Sequence, residues 1–244
     1  IQSTWAGIES LAEEERAQNV LITGIKGIFG PLIAEYVFAY LLDDIRDLNH
    51  ALQAQAARQW QPYTPGTLQN RHLVIVGTGS IGRQVAVVAR SFRMRVTGVS
   101  RSGEASHEFD NTVPADRLTD VMHDADYVLV VLPRTEKTAG LIDARVLAAL
   151  PAEAMLLNVG RGSTVDEAAL IRAMKSKRLR KAVLDVFQTE PIPAGNELWD
   201  LPSTYITPHI AAVSHAQDIA RIFLHNLRLY RSGASLEHVI DLQR

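Results

Sequence analysis

Three short blocks hold residues whose types suit acid–base work on a carbonyl group: Asn158-Val159-Gly160-Arg161-Gly162, Asp185-Val186-Phe187-Gln188-Thr189-Glu190-Pro191 and Thr207-Pro208-His209-Ile210-Ala211-Ala212. Each follows or ends a run of strand-forming residues, which places it at the carboxyl end of a strand, where ligands bind in open α/β sheets. An arginine there can fork onto a carboxylate and polarise a neighbouring carbonyl. A histidine has an ordinary pKa of about 6.5, in the range for giving up a proton near neutrality. A carboxylate bonded to an imidazole favours the charged ring. The chain has eight histidines, so His209 is singled out by its joint placement with Arg161 and Glu190.

A second kind of chemistry is written at Leu73-Val74-Ile75-Val76-Gly77-Thr78-Gly79-Ser80-Ile81-Gly82, a strand, a glycine-rich turn and a helix start. Gly77 permits the tight turn, Gly79 lets backbone approach a pyrophosphate, and Gly82 lets helix pack on strand. The N–H groups around Ser80 and Ile81, at the positive end of the helix dipole, then face the phosphates. The second strand selects among dinucleotides. Where an NAD-binding fold places an acid on the ribose hydroxyls, this chain reads Ser100-Arg101-Ser102. An acid repels a 2′-phosphate, whereas serine and arginine bind one, each charge-assisted bond contributing about 1.5–3 kcal/mol. NADP(H) is therefore expected over NAD(H).

These blocks need a frame. Short strand-like runs at 73–76, 95–99, 127–132, 154–159, 181–186 and 205–207 alternate with helical stretches at 81–92, 116–123, 143–150 and 167–177. Strands apolar on both faces and separated by helices imply a parallel sheet covered on both sides, so the fold class is α/β, doubly wound. Ahead of them, Pro31 suits a first helical turn. Ile33, Val37, Tyr40, Leu41, Ile45, Leu48 and Leu52 then recur at helical spacing, which predicts one long core-facing helix from Leu32 to Gln59. Val20 to Thr23 reads as a strand, Ser214 to Arg231 as a last helix, and Thr164-Val165-Asp166-Glu167 as a capping box.

Composition narrows the class. The 244 residues are 47% hydrophobic and 21% charged, ordinary for a globular chain, and a net charge of −2 offers no bulk attraction to nucleic acid or an anionic membrane. With no cysteine, a disulfide scaffold, a thiolate zinc site and a thiol nucleophile are excluded, which agrees with a cytoplasmic location. No metal site is expected, and no apolar run reaches the 18 or so residues of a membrane span.

Taken with Ala6-Gly7-Ile8-Glu9, Ala34-Glu35, Leu132-Pro133 and Thr138, these blocks resemble the D-isomer-specific 2-hydroxyacid dehydrogenase family over nearly the whole chain. Ser100-Arg101 and Trp60-Gln61-Pro62 are most similar to its bacterial glyoxylate/hydroxypyruvate reductases. The resemblance implies a Rossmann-type NADP-binding domain over 26–213, including a long helix at 31–59. It also implies a remnant, 1–25 and 214–244, of a flavodoxin-like substrate domain. It implies that Arg161 orients the substrate, Glu190 partners the imidazole and His209 is the acid/base. Ala6 and Gly7 would hold the substrate carboxylate. Leu132, Pro133, Val159 and Asp185 would line the nicotinamide, Asp185 near its carboxamide, with Thr138, Gly160 and Ala211 also touching the cofactor. In the family several tens of residues precede the Ala-Gly loop, so with Ile1 in first place the chain is read as truncated. The expected reaction is NADPH-dependent reduction of a small 2-keto acid by a homodimer. A phosphoglycerate dehydrogenase or a nucleotide-sensing corepressor of the same fold is the alternative.

Overall fold

The computed structural model describes residues 1–4 and 20–240, and it divides into two compact units, Gly30–Ala211 and the pair Ile1–Phe29 with Ala212–Arg244. The larger unit is a seven-stranded, wholly parallel sheet: β1 (His72–Val76), β2 (Arg95–Ser100), β3 (Asn111–Pro114), β4 (Tyr127–Val130), β5 (Met155–Asn158), β6 (Lys181–Leu184) and β7 (Thr204–Ile206). Their order is β3-β2-β1-β4-β5-β6-β7. The doubly wound α/β expectation holds, and the winding reverses between β1 and β4, where the crevice of such sheets opens. β1, β4 and β5 are buried at every position, as strands covered on both faces must be.

Six of the seven strands coincide with the runs expected from sequence. β3 was not among them, because it is an edge strand of four residues, mostly half-exposed and ending on a proline, with no apolar run to mark it. Val20 to Thr23 forms no strand; Thr23 alone bridges to Gln2 and Val239.

The long helix at 31–59 is instead two helices, α1 (Phe29–Arg46) and α2 (Leu48–Ala56). Asp47 breaks the run by adopting the left-handed conformation, φ 49° and ψ 52°, with its side chain accepting from the His50 N–H. Aspartate tolerates that region because its short polar side chain bonds locally. The break turns the apolar stripe: Ile33, Val37 and Leu41 are buried, whereas Leu48 and Leu52 are exposed and α2 buries nothing.

Flanking helices follow: α3 (Ser80–Ser91), α4 (Ala144–Ala149), α5 (Glu167–Lys175) and, in the smaller unit, α6 (Ala216–Arg231). α3 turns Gly82, Val85, Ala86 and Ala89 inward at helical spacing. The stretch expected as a helix at 116–123 is a 3-10 segment, Ala115–Val121. The capping box at 164–167 is not formed. Asp166 caps α5 by accepting from the Ala169 N–H at 2.9 Å, Thr164 is buried one turn earlier, and the Glu167 carboxylate takes Asn196 Nδ2 at 2.7 Å. In the smaller unit, buried Asn226 of α6 holds the Glu237 peptide through both its amide atoms. No helix among the described residues is long and apolar enough to cross a membrane.

α1 is fastened to the sheet by a buried charge. Asp44, its side chain 4% exposed, takes both Nη atoms of Arg180 at 2.7 and 2.9 Å, Lys181 Nζ at 2.8 Å and the Tyr127 hydroxyl at 3.3 Å. Burial alone would raise the Asp44 carboxyl, but hydrogen bonds and charge from Arg180 and Lys181 outweigh it and hold the group below the ordinary carboxylate value. A depressed folded-state pKa gives stability that is present at neutral pH and lost as pH falls through the acid range. Asp44→Ala, which leaves two part-buried cations without their shared partner, is expected to lower unfolding free energy by about 2 kcal/mol in urea titrations at pH 7. The gap should close as the titrations are repeated at progressively lower pH.

Candidate active site

The turn after β1 is shaped by what its glycines leave out. Gly77 stands at φ 120°, and a Cβ there would lie 2.6 Å from the Val131 carbonyl oxygen. A Cβ on Gly82 would lie 2.0 Å from the Gly77 oxygen. Both positions are closed to any other residue by the protein's own backbone. Gly79 differs: it has an ordinary φ of −70°, and nothing lies within 4 Å of where its Cβ would be. It caps α3 with no side-chain acceptor for the first-turn N–H groups. Ser80 is exposed and Ile81 half-buried beside it. An open space in front of bare N–H donors fits a pyrophosphate.

At the tip of β2, Ser100 Oγ accepts the Gly103 N–H at 3.0 Å, which turns the chain, and Arg101 and Ser102 are exposed. Across the switch point Leu132 is half-buried and Pro133 exposed. The Thr138 hydroxyl is occupied within its own loop, donating to the Pro133 carbonyl at 2.7 Å and accepting the Thr135 N–H at 2.9 Å.

β5, β6 and β7 are neighbours, paired so that Asn158 lies beside Leu184 and Leu184 beside Ile206. Arg161, Glu190 and His209 therefore leave adjacent strand tips on one edge of the sheet. Asn158, nearly fully buried, organises the first tip: its Oδ1 accepts the Gly160 N–H at 3.2 Å and its Nδ2 donates to the Arg161 carbonyl at 3.1 Å. The glycines flanking Arg161 are close approaches. A Cβ on Gly160 would lie 2.7 Å from the Leu132 backbone, and one on Gly162 only 1.9 Å from the Phe187 carbonyl carbon. The segment is thereby wedged between the tips of β4 and β6. Arg161 is half-buried, and its Nη1 donates to the Gly160 carbonyl at 2.8 Å. Val159 and Gly160 are buried behind it.

Glu190 uses both oxygens. Oε1 accepts the Phe187 N–H at 2.9 Å, and Oε2 faces His209 Nδ1 at 2.8 Å. A carboxylate only accepts, so Nδ1 carries the proton and Nε2 is left on a half-exposed ring. His209 stands at φ 55°, a left-handed conformation costing about 1–2 kcal/mol that the surroundings must hold. Its N–H donates to the Asp185 and Thr207 carbonyls at 2.9 and 3.0 Å.

Asp185 has a task its expected place by a carboxamide did not suggest. It is 1% exposed, and Oδ1 accepts from the Thr207 hydroxyl at 2.6 Å and the Ile210 N–H at 2.8 Å, while Oδ2 accepts the Ala211 N–H at 2.9 Å. The carboxylate gathers the loop that carries His209. Asn158, Thr207 and Tyr36, whose hydroxyl lies 2.6 Å from Thr207 Oγ1, were not singled out from sequence. Asn158 and Thr207 sit inside recognised blocks, but nothing in the sequence links Tyr36 to a residue so far along the chain. Ala6 and Gly7 lie outside the described residues.

A phosphate-shaped turn at a switch point, beside an arginine and an imidazole–carboxylate pair, defines a nicotinamide-dinucleotide oxidoreductase. The model of the D-isomer specific 2-hydroxyacid dehydrogenase NAD-binding domain matches residues 38–211. The chain belongs to that family of dehydrogenases. It is 29% identical to glyoxylate/hydroxypyruvate reductase A of Serratia proteamaculans over 244 residues, covering 97% of this chain and 78% of that protein. A family member of known structure from Aeromonas salmonicida is 39% identical with a TM-score of 0.91, covering 99% of this chain and 78% of that one. An NADPH-dependent glyoxylate/hydroxypyruvate reductase from Sinorhizobium meliloti, solved with NADP and sulfate, is 26% identical with a TM-score of 0.89, covering 99% and 78%.

The contrast between the glycines is testable. Gly79→Ala should leave the thermal midpoint unchanged yet weaken dinucleotide binding, read by fluorescence titration, by about tenfold or more, since a methyl group would occupy phosphate space. Gly162→Ala should instead lower stability by about 3 kcal/mol or more, because backbone must move to admit it.

Proposed function

We propose that the chain reduces a small 2-keto acid of the glyoxylate or hydroxypyruvate kind to the D-2-hydroxy acid, with NADPH as the reductant. The observation that carries this reading is the 2.8 Å pair of Glu190 and His209 one strand away from Arg161. The Serratia and Sinorhizobium proteins, named for that reaction, support the substrate class. Ser100, in place of the acid that would repel a 2′-phosphate, and Arg101 after it support NADPH.

Gly77, Gly79, Ser80, Ile81 and Gly82 would hold the pyrophosphate, Ser100, Arg101 and Ser102 the 2′-phosphate, and Leu132, Pro133, Thr138, Val159, Gly160 and Ala211 the nicotinamide half. When bound, the reduced nicotinamide supplies the hydride that reaches the keto carbon. Arg161 forks onto the substrate carboxylate and keto oxygen, fixing the carbonyl and drawing charge from it. His209 gives the Nε2 proton to that oxygen as it gains charge, and Glu190 stabilises the charged ring beforehand. The residues of 1–25 and 214–244 belong to the part that holds the substrate.

His209→Asn, a residue that also tolerates positive φ, should cut kcat for glyoxylate reduction by about a thousandfold while leaving NADPH affinity within about threefold. Arg101→Ala should weaken NADPH about tenfold or more and leave NADH nearly unchanged, measured as paired dissociation constants. Equal losses for both nucleotides would sink the 2′-phosphate assignment.

A further inference from the structure

The donors around Asp185 include one that is itself held. Thr207 Oγ1 lies 2.6 Å from Asp185 Oδ1 and 2.6 Å from the Tyr36 hydroxyl. A threonine hydroxyl has one proton to give. With both its oxygens accepting backbone N–H bonds, Asp185 is an acceptor only, so the Thr207 proton points at Asp185. Tyr36 must then donate to Thr207, and the chain runs one way, from phenol to hydroxyl to carboxylate. Bonds aligned in this sense strengthen one another away from water. Burial pushes the Tyr36 phenol well above its ordinary pKa, so it remains a donor at every working pH.

The phenol is not free to wander. Tyr36 packs against Tyr40 at 5.0 Å between ring centroids, and Tyr40 meets Tyr205 of β7 at 5.5 Å. Two turns further along α1, Asp44 is bound to Arg180 and Lys181 at the start of β6. The helix therefore presents its hydroxyl to Thr207 from a fixed position.

We propose that Tyr36 is a positioning residue for the reaction: through Thr207 it holds the Asp185 carboxylate in the orientation that gathers the Ile210 and Ala211 amides, and so sets where His209 stands. The loop that places His209 is short, has a left-handed residue at its centre and owes its shape to bonds from outside itself. This assignment rests on the reading of His209 as the proton donor. Tyr36 touches no reacting atom in it.

The test uses the full chain as Tyr36→Phe, Thr207→Val, Thr207→Ser and the double variant Tyr36→Phe/Thr207→Val. Steady-state kinetics with NADPH and glyoxylate or hydroxypyruvate are paired with amide hydrogen exchange of Ile210 and Ala211 in the ligand-free protein. Tyr36→Phe should lower kcat about fivefold with KM within about twofold, the effect of one lost neutral hydrogen bond felt after substrate is bound. Thr207→Val should lower it at least as far. The double variant should match Thr207→Val, because a severed chain cannot be cut again. Thr207→Ser, which keeps the hydroxyl, should restore wild-type kcat. Exchange at Ile210 and Ala211 should quicken in the first two variants and not in the serine. A wild-type kcat with unchanged exchange in Tyr36→Phe, losses that add in the double variant, or a change in KM alone would each overturn the proposal. If the unmodified chain reduces neither keto acid, the functional reading falls, while the exchange measurements still decide whether Tyr36 holds the loop.

Discussion

A carboxylate with almost no solvent contact has to be surrounded by donors, and at Asp185 those donors come from the loop that carries His209. Three bonds converge on one side chain at the end of β6, and the residues that supply them lie 22 to 26 positions later. The loop could not adopt its course without that acceptor, since buried backbone N–H groups left unpaired are costly. His209 reaches Glu190 because its backbone has first been bent to φ 55° against this anchor. The Glu190–His209 contact is what the bent loop makes possible, and the carboxylate beneath it is the condition for that contact.

The same logic operates at the neighbouring tip with the opposite means. On either side of Arg161 the structure relies on close approach of backbone. Gly160 meets the Leu132 backbone and Gly162 meets Phe187, so a side chain on either would force strand ends apart. Asn158 closes the turn with bonds to the backbone of Gly160 and Arg161. Packing density and hydrogen bonding thus fix one strand tip and one loop, and the parallel register of β5, β6 and β7 brings them side by side. Protein interiors yield little to such contacts, which is why a site built from three separate segments can be held to a useful geometry.

Helix α1 ties the distant parts of this arrangement. Asp44 binds cations where β6 begins, and Tyr36 binds Thr207 where β7 ends. One rigid element therefore touches the sheet at both ends of its strands. The helix earns that role from its length and from the break at Asp47, which separates a buried helix from an exposed one. Had the run continued unbroken to Gln59, the apolar positions Leu48 and Leu52 would have had to find cover as well.

Much of this was legible in the order of residues. Alternating apolar runs and helical stretches point to a parallel sheet with helices on both faces, because strands apolar on both faces must be covered on both. Gly77, Gly79 and Gly82, placed between strand and helix, specify a tight turn, and Arg161, Glu190 and His209 are marked by following strand tips. What stayed hidden depended on partners far away in the chain. β3 is stabilised by its neighbour rather than by its own composition, Asp47 breaks a helix whose periodicity runs straight through it, and Asp166 rather than Thr164 caps α5 because Thr164 closes the 3-10 turn before it. The bonds from the Asp185 carboxylate to the loop, and the bond from Tyr36 to Thr207, have no local signal at all. Local sequence determines which residues form strands, helices and tight turns, since propensity and periodicity act over a few residues. Which side chain meets which across 22 or 171 positions is decided only when the sheet assembles, because those bonds exist between elements and not within them.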